Sequence, residues 1–284
     1  MAFNDLQLKA ASEAGIIAAH KNIAKLSLFA KSFSELNGVP GASVAVPVYD
    51  LSASAAFVPG TNDYGTTQDI DGALITLNQH YVRSVGITDV QQAETGVRWI
   101  ADTTAALADT LTRGVESYTM GLINATNCPL SAEVTLNSKS AVANLYATAA
   151  ANDIPVNDAV VVLSPTNFAT VLGLLDASVY GGSEAVQLGI IPGLYGFAGF
   201  VCSPSLTGDL DGAIVARNAI GIASRVVYPG TEGAYPEFFT VTTDEGWSLG
   251  TRRWENLATG KNVLAMDTLF GAAVLQPNRI VRLV

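Results

Sequence analysis

Apolar residues recur every third or fourth position over one long stretch of the chain: Val90, Ala93, Val97, Ile100, Thr104, Leu107, Leu111, Val115, Tyr118 and Leu122. This spacing predicts an amphipathic helix opened by Asp89 as its cap. Glu94 and Arg98, and Asp109 and Arg113, fall four apart on the outer face, the orientation that supports a helix. The pattern runs to Asn124-Ala125-Thr126-Asn127-Cys128-Pro129, about thirty-five residues or roughly 50 Å at the helical rise. One apolar stripe of that length needs an extended sheet to lie on, which predicts an elongated, thin domain.

Strand-like alternation dominates elsewhere. Phe239, Val241 and Thr243, then Trp247, Leu249 and Thr251, flank Asp244-Glu245-Gly246 and predict a hairpin, with a second turn at Thr259-Gly260-Lys261. The apolar end, Ile280, Val281, Leu283 and Val284, predicts a terminus tied into a sheet. Residues 5 to about 36 carry helical spacing, and Asn37-Gly38-Val39-Pro40-Gly41 breaks it. From Ala42 to Val85 the strand-like pieces SVAVPVYDL, SAAFVP and ALITLNQHYVRSV surround the turn-rich PGTNDYGTTQDIDG, predicting a long hairpin that reaches outward with its tip near Pro59 to Gly65.

Between them lies mixed text. Ser138 to Ala151 predicts a helix with Ala141, Val142, Leu145 and Ala149 on one side, and Ala159 to Leu163 a buried strand. Ser164-Pro165 is a cap and first-turn pair opening a helix through Leu175. Residues 176–193 read as a loop, Gly199 to Cys202 and Ala213 to Ala216 as strands, and 219–227 as ambiguous. This is a separate α/β lobe. Because closing strands follow it, the first lobe is expected to be discontinuous, built from the long helix and the C-terminal sheet.

Composition narrows the function classes. Charged residues make up only 14% of 284 residues and hydrophobic ones 49%. Soluble domains carry roughly 25% charged residues. So little charge leaves either apolar surface of the kind that marks association sites or a compact Ala- and Gly-rich monomer. A net charge of −10 disfavours a broad nucleic-acid grip. Four of the six lysines, Lys9, Lys21, Lys25 and Lys31, lie near the N-terminus, which reads as a solvated helix face or as an arm facing a polyanion. No signal peptide or membrane-length apolar run is present, and an intracellular, soluble product is expected.

Candidate chemistry is sparse. Cys128 and Cys202 stand alone, and His20 and His80 are the only histidines, so no disulfide framework, zinc cluster or multi-histidine metal site is expected. Gly193, Gly196 and Gly199 in GLYGFAG match neither a Walker nor a dinucleotide-binding spacing. Asp69 and Asp71 are either a carboxylate pair for a cation or ordinary turn carboxylates. Arg252-Arg253-Trp254 is the one adjacent basic pair, suited to carboxylate pairing between subunits or to a solvated strand end. Neighbours in a strand point to opposite faces, so both arginines serve one interface only if the strand bulges. Trp99 reads as packing. No catalytic residue, cofactor site or metal site is expected.

The order of helical arm, long hairpin, very long helix, α/β lobe and closing sheet resembles the major capsid proteins of tailed bacteriophages with the Hong Kong 97 coat fold. TDVQQAETGVRWIADTTAALADTL resembles the entry to that family's spine helix, and AVVVLSPTNFATVL a strand and helix of its axial lobe. DEGWSLGTRRWEN and DTLFGAAVLQPNRIVRL resemble closing strands of its peripheral lobe. The resemblance covers essentially the whole chain and implies an α+β fold. Its parts are an N-terminal arm (1–38), an extended loop with flanking strands (39–88), a peripheral lobe with the spine helix (89–130 and 230–284) and an axial lobe (131–229).

It further implies a non-enzymatic subunit that forms pentamers and hexamers of an icosahedral head around double-stranded DNA, assembled in the host cytoplasm. A scaffolding protein, a portal and possible cement proteins are its expected partners. An encapsulin-like nanocompartment is the alternative, ahead of a small-molecule enzyme. Residues 51–79 would lie over a neighbouring subunit, 176–193 would approach the capsomer axis, and Tyr64, Asp69, Asp71, Arg252, Arg253, Glu255 and Lys261 are the subunit-contact candidates. Two features depart from the family. No lysine occurs between Lys31 and Lys139, so lysine–asparagine crosslinking of the loop cannot be carried over. No coiled-coil prodomain precedes the arm, which points to a separate scaffolding protein unless the sequence is already processed.

Overall fold

The computed structural model describes residues 26–33, 43–48, 71–88, 90–91, 99–175, 190–206, 210–227, 237–242 and 247–284. They form fourteen strands: β1 (Ala30–Ser32), β2 (Ser43–Val48), β3 (Asp71–Thr76), β4 (Gln79–Thr88), β5 (Leu130–Ala132), β6 (Ala159–Leu163), β7 (Ile190–Pro192), β8 (Gly199–Cys202), β9 (Gly212–Ala216), β10 (Ile220–Arg225), β11 (Glu237–Thr242), β12 (Ser248–Asn256), β13 (Lys261–Val274) and β14 (Ile280–Leu283). Three helices accompany them: α1 (Trp99–Gly121), α2 (Lys139–Ala151) and α3 (Pro165–Leu174).

The first sheet is organised on β13. One edge of this fourteen-residue strand pairs with β4 along Lys261–Phe270. The other edge takes β12 along Lys261–Asp267 and then β10 along Leu269–Val274, so these two strands follow one another end to end. Ser224 Oγ accepts a 3.0 Å bond from Ser248 N at that joint. β11 extends the sheet beyond β12, and β1 runs parallel to β10. The predicted hairpins on both sides of β12 are therefore present, although the 243–246 turn lies outside the described residues.

Helix α1 covers one face of this sheet, packed on β13 and β4. Alternation along β13 puts Leu264, Met266 and Phe270 on that face, all buried, with Leu249 of β12 beside them. Phe270 sits at the centre of an aromatic group, 5.0 Å from Tyr81, 5.5 Å from Tyr118 and 5.7 Å from Trp247 between ring centroids. A Cβ at Gly114 would meet the ring of Tyr81 at 3.0 Å, so the glycine lets the helix pass close to β4.

The predicted stripe of α1 holds at Thr104, Leu107, Leu111 and Val115, but Ala108, Thr112, Glu116, Thr119 and Met120 are buried as well. The helix is enclosed over a wider arc than a single sheet contact requires. The reason is a second contact: Ser203 Oγ donates to Glu116 Oε1 at 2.7 Å, which joins the helix to the loop after β8. Twenty-three residues make α1 about 34 Å long. The predicted cap Asp89 lies outside the described residues, as do residues 92–98; on either side of Asp89, Thr88 and Gln91 bond reciprocally, Gln91 N to Thr88 Oγ1 at 3.3 Å and Thr88 N to Gln91 Oε1 at 3.2 Å. The outer pair Asp109–Arg113 is formed at 2.9 Å.

The second sheet has the order β5-β14-β9-β6-β8-β7. β6 and β9 bury every residue, so both faces of the sheet are covered. β6, α3 and β8 make a parallel crossover, opened as the sequence predicts by Ser164 and Pro165. Ser138 caps α2, which buries Val142, Leu145 and Ala149. One buried cluster runs through α1, α2 and both sheets.

Four further expectations are corrected. Residues 30–32, read as helix, are a strand, because β10 offers them a parallel edge. The stretch ALITLNQHYVRSV is not one strand: it divides at Leu77-Asn78, where Thr76 O lies against Gly271 and leaves no room for a Cβ there. β3 then pairs with β2 in a separate ribbon, whose Val44, Val46, Ile75 and Leu77 pack with Ala223 and Leu275. Residues 190–192, read as loop, are β7. The apolar terminus is tied down, but β14 pairs with β9 and β5 of the second sheet, while β10 belongs to the first. The tip of the long hairpin, including 51–70, falls outside the described residues, as do 1–25 and 176–189.

Candidate subunit-contact site

The hairpin between β12 and β13 is the best-defined candidate. Its register closes at Asn256↔Lys261, leaving Leu257–Gly260 as the tip. Asn256 orders that tip from within: its Oδ1 accepts from Ala258 N at 3.1 Å and its carbonyl from Thr259 N at 3.2 Å. Gly260 takes a φ of 56°, which a residue with a Cβ adopts only with strain. Leu257 is 85% exposed at the apex, with Glu255 and Lys261 exposed on the strands below it. An apolar side chain held outward on an ordered turn suits protein contact, and no group of catalytic character accompanies it.

The two arginines divide as strand alternation requires. Arg252 lies on the face of the sheet away from α1, where its guanidinium donates to Asp267 Oδ2 at 2.9 Å and to Val227 O at 2.7 Å. It also lies over the Phe238 ring, 5.5 Å from the centroid. Arg252 is thereby engaged within its own subunit. Arg253 points to the opposite face and is half-buried, opposite Leu264 and Glu237 in the register. Tyr64 and Asp69 lie outside the described residues, and Asp71 is placed only by its backbone, at the end of β3 opposite Val48.

Asp267 is the residue that sequence reading passed over. Its carboxylate is 3% exposed and is shared between Arg252 and His80 Nε2, 3.1 Å away. Its Oδ1 has no hydrogen-bond partner and packs against Gly250, where a Cβ would collide with it. The available signal was a single acid in the run Val263 to Val274, whose one other polar side chain is Thr268. Among the described residues no hydroxyl or thiol bonds to the His80 ring, and no group of three or more His, Cys, Asp or Glu is gathered to hold a metal ion. The cluster neutralises a buried charge where β4, β13 and β12 meet.

A cleft of about 540 Å³ separates the 26–32 segment from the turn at Arg217-Asn218, with Lys31, Asp158, Arg217 and Trp247 on its walls. Cys128 is buried, and burial pushes its thiol pKa up, against smaller opposite effects of the Asn124 backbone and Arg282. Among the described residues, no helix is long and apolar enough to cross a membrane.

The sequence profile of the family described as "Phage capsid protein" matches residues 74–282, from β3 through β14. The chain belongs to this family. It is therefore a bacteriophage coat protein and a structural component of the virion capsid, as the sequence resemblance implies. Among curated proteins, none matches its sequence. Its fold is similar to that of a protein of Mycobacterium phage Che8, with 15% identity over 91% of this chain and 90% of the other and a TM-score of 0.58. It is also similar to the capsid of a native GTA particle (15% identity, 91% and 89%, TM-score 0.57) and to a virus-like particle from Pyrococcus furiosus (13% identity, 96% of each chain, TM-score 0.55). The mixed α+β architecture is that of phage capsid proteins.

Proposed function

We propose that this chain is the building block of an icosahedral phage head, arranged in pentamers and hexamers around double-stranded DNA. The family match carries this reading, because it spans both sheets and the helix between them rather than one isolated motif. α1 with β4 and β10–β13 then acts as the peripheral lobe and spine, and β5–β9 with β14, α2 and α3 as the axial lobe. Residues 1–38 serve as the arm. The β2–β3 ribbon is the root of a loop that lies over a neighbouring subunit.

Assembly is the mechanism. Many modest contacts between copies add up to a closed shell, each weak enough alone to let misplaced subunits leave. Tyr64, Asp69, Asp71, Arg253, Glu255 and Lys261 contribute to these contacts, and the Leu257 tip meets other subunits around the three-fold positions. A net charge of −10 suits a container whose wall does not grip the packaged DNA; a strongly basic inner face in the assembled particle would rule that role out. A separate scaffolding protein, a portal and cement proteins act with it in the host cytoplasm.

Electron microscopy of the purified protein, alone and with the products of neighbouring genes, tests the reading. Closed particles are expected, and a stable monomer under every assembly condition overturns it. The similarity to the virus-like particle from Pyrococcus furiosus favours a second reading, a cellular nanocompartment shell. Particles purified from the native source separate the two, since a phage head carries DNA and a nanocompartment carries cargo protein.

A further inference from the structure

β4 is ten residues long, and among the described residues its only strand partner is β13. The pairing is unbroken from Gln79↔Phe270 to Thr88↔Lys261, so one edge is satisfied and alternate backbone N–H and C=O groups face outward along the other. Most of its side chains are exposed, including Val82 at 48% and Val85 at 41%. Natural sheets protect such an edge with lysines, proline, a bulge or a very short strand. β4 has none of these: its one formally charged side chain is Arg83, and the register contains no bulge. An edge about 34 Å long, left open among the described residues, is a template for another strand.

We infer that in the assembled shell the free edge of β4 is completed by a strand from a second copy of this chain, which extends the first sheet across the subunit boundary. The inference rests on the shell reading, because a shell holds copies side by side at the density that makes another copy the available partner. Main-chain bonds supply the contact, and Val82 and Val85, on opposite faces of the sheet, add apolar cover on each side. The arrangement also explains why the edge lacks protecting charges: in the shell it is not an edge. Lysine there would repel an incoming strand.

Image reconstruction of closed particles at side-chain resolution tests this together with the double variant Val82→Lys, Val85→Lys. Expected is a backbone segment of a neighbouring copy running about 4.8 Å from β4, the spacing of paired strands. The double variant should keep the melting temperature of the unassembled subunit while its particle yield drops roughly tenfold or more, as edge charges block strand addition. A β4 edge that faces solvent, one touched only by side chains, or one paired with a chain of different sequence overturns the inference and leaves the shell reading standing. So does an undiminished yield from a folded variant. If the variant fails to fold, the reconstruction of the unsubstituted particle decides alone. If the unsubstituted protein forms no closed particle, the shell reading fails and this inference fails with it.

Discussion

At Asp267 a single carboxylate, 3% exposed, holds Arg252 and His80 at the meeting point of three strands. Asp267→Ala removes the buried carboxylate that the guanidinium, itself 14% exposed, bonds at 2.9 Å. Removing one partner of a buried pair costs about 3–5 kcal/mol. Urea denaturation of the unassembled subunit should show that loss. His80 is 45% exposed in its side chain, so His80→Ala should cost less than about 1 kcal/mol in the same measurement. Equal losses from the two variants would refute the assignment of Arg252 as the main partner.

Cys128 offers a pH test. Its folded pKa is raised above the ordinary 9.0 by burial, so above that pH the unfolded state gives up a proton that the folded state retains. The buried thiol's contribution to stability is complete below about pH 9 and declines as the pH rises beyond it. A Cys128→Ser variant should show less of this alkaline loss. A thiol reagent at pH 8 should leave Cys128 unmodified in the folded protein while half-buried Cys202 reacts.

Among the elements, the division of the 71–88 stretch into β3 and β4 depends on Gly271. A Cβ there would overlap the Thr76 carbonyl, and neither backbone can move without disturbing the β10–β13 or β2–β3 ladder. Gly271→Ala is expected to destabilise the subunit by about 3 kcal/mol, the upper end for overpacking, read as a lower urea midpoint. Local chemistry shows where sequence succeeded at this scale. Ser164 announced α3 because a cap is a contact between residues three apart, Val142, Leu145 and Ala149 marked one side of α2, and β6 announced itself as an unbroken apolar run. β1 and β7 did not, since three-residue strands carry too little periodicity and exist because a sheet edge accepts them. Thr88 and Gln91 carry the T-x-x-Q capping-box spacing and bond reciprocally, on either side of the acid at 89 that the sequence offers as a cap.

Over the whole molecule the exposed tip at Leu257 separates folding from assembly. Leu257→Asp should change subunit stability by less than about 0.5 kcal/mol, since the side chain touches little in the isolated chain. Its particle yield should fall, measured by sedimentation. A lower melting temperature, or unchanged assembly, would show that the tip is not a contact. Of the candidate contact residues, Glu255 and Lys261 were legible as surface positions on a hairpin, while the ion pair of Arg252 within its own subunit was not. Strand alternation predicted that the two arginines part, but not which one meets a buried carboxylate. That choice depends on Asp267, fifteen residues away in sequence and on the neighbouring strand.

The sequence by itself determined the helix stripe, the cap at Ser164, the hairpins around β12 and the apolar terminus, because each depends on side-chain period or on groups within four residues of one another. Their order along the chain was also enough to mark a phage capsid protein. Tertiary structure alone decided that β14 returns to the second sheet and β10 joins the first, that α1 is buried on two sides through Glu116 and Ser203, and that a carboxylate at 267 is neutralised by residues 80 and 252. The physical reason is common to all of these. Pairing partners and buried charges are selected by which surfaces meet in space, and residues far apart in the chain carry no local mark of the neighbour they will acquire.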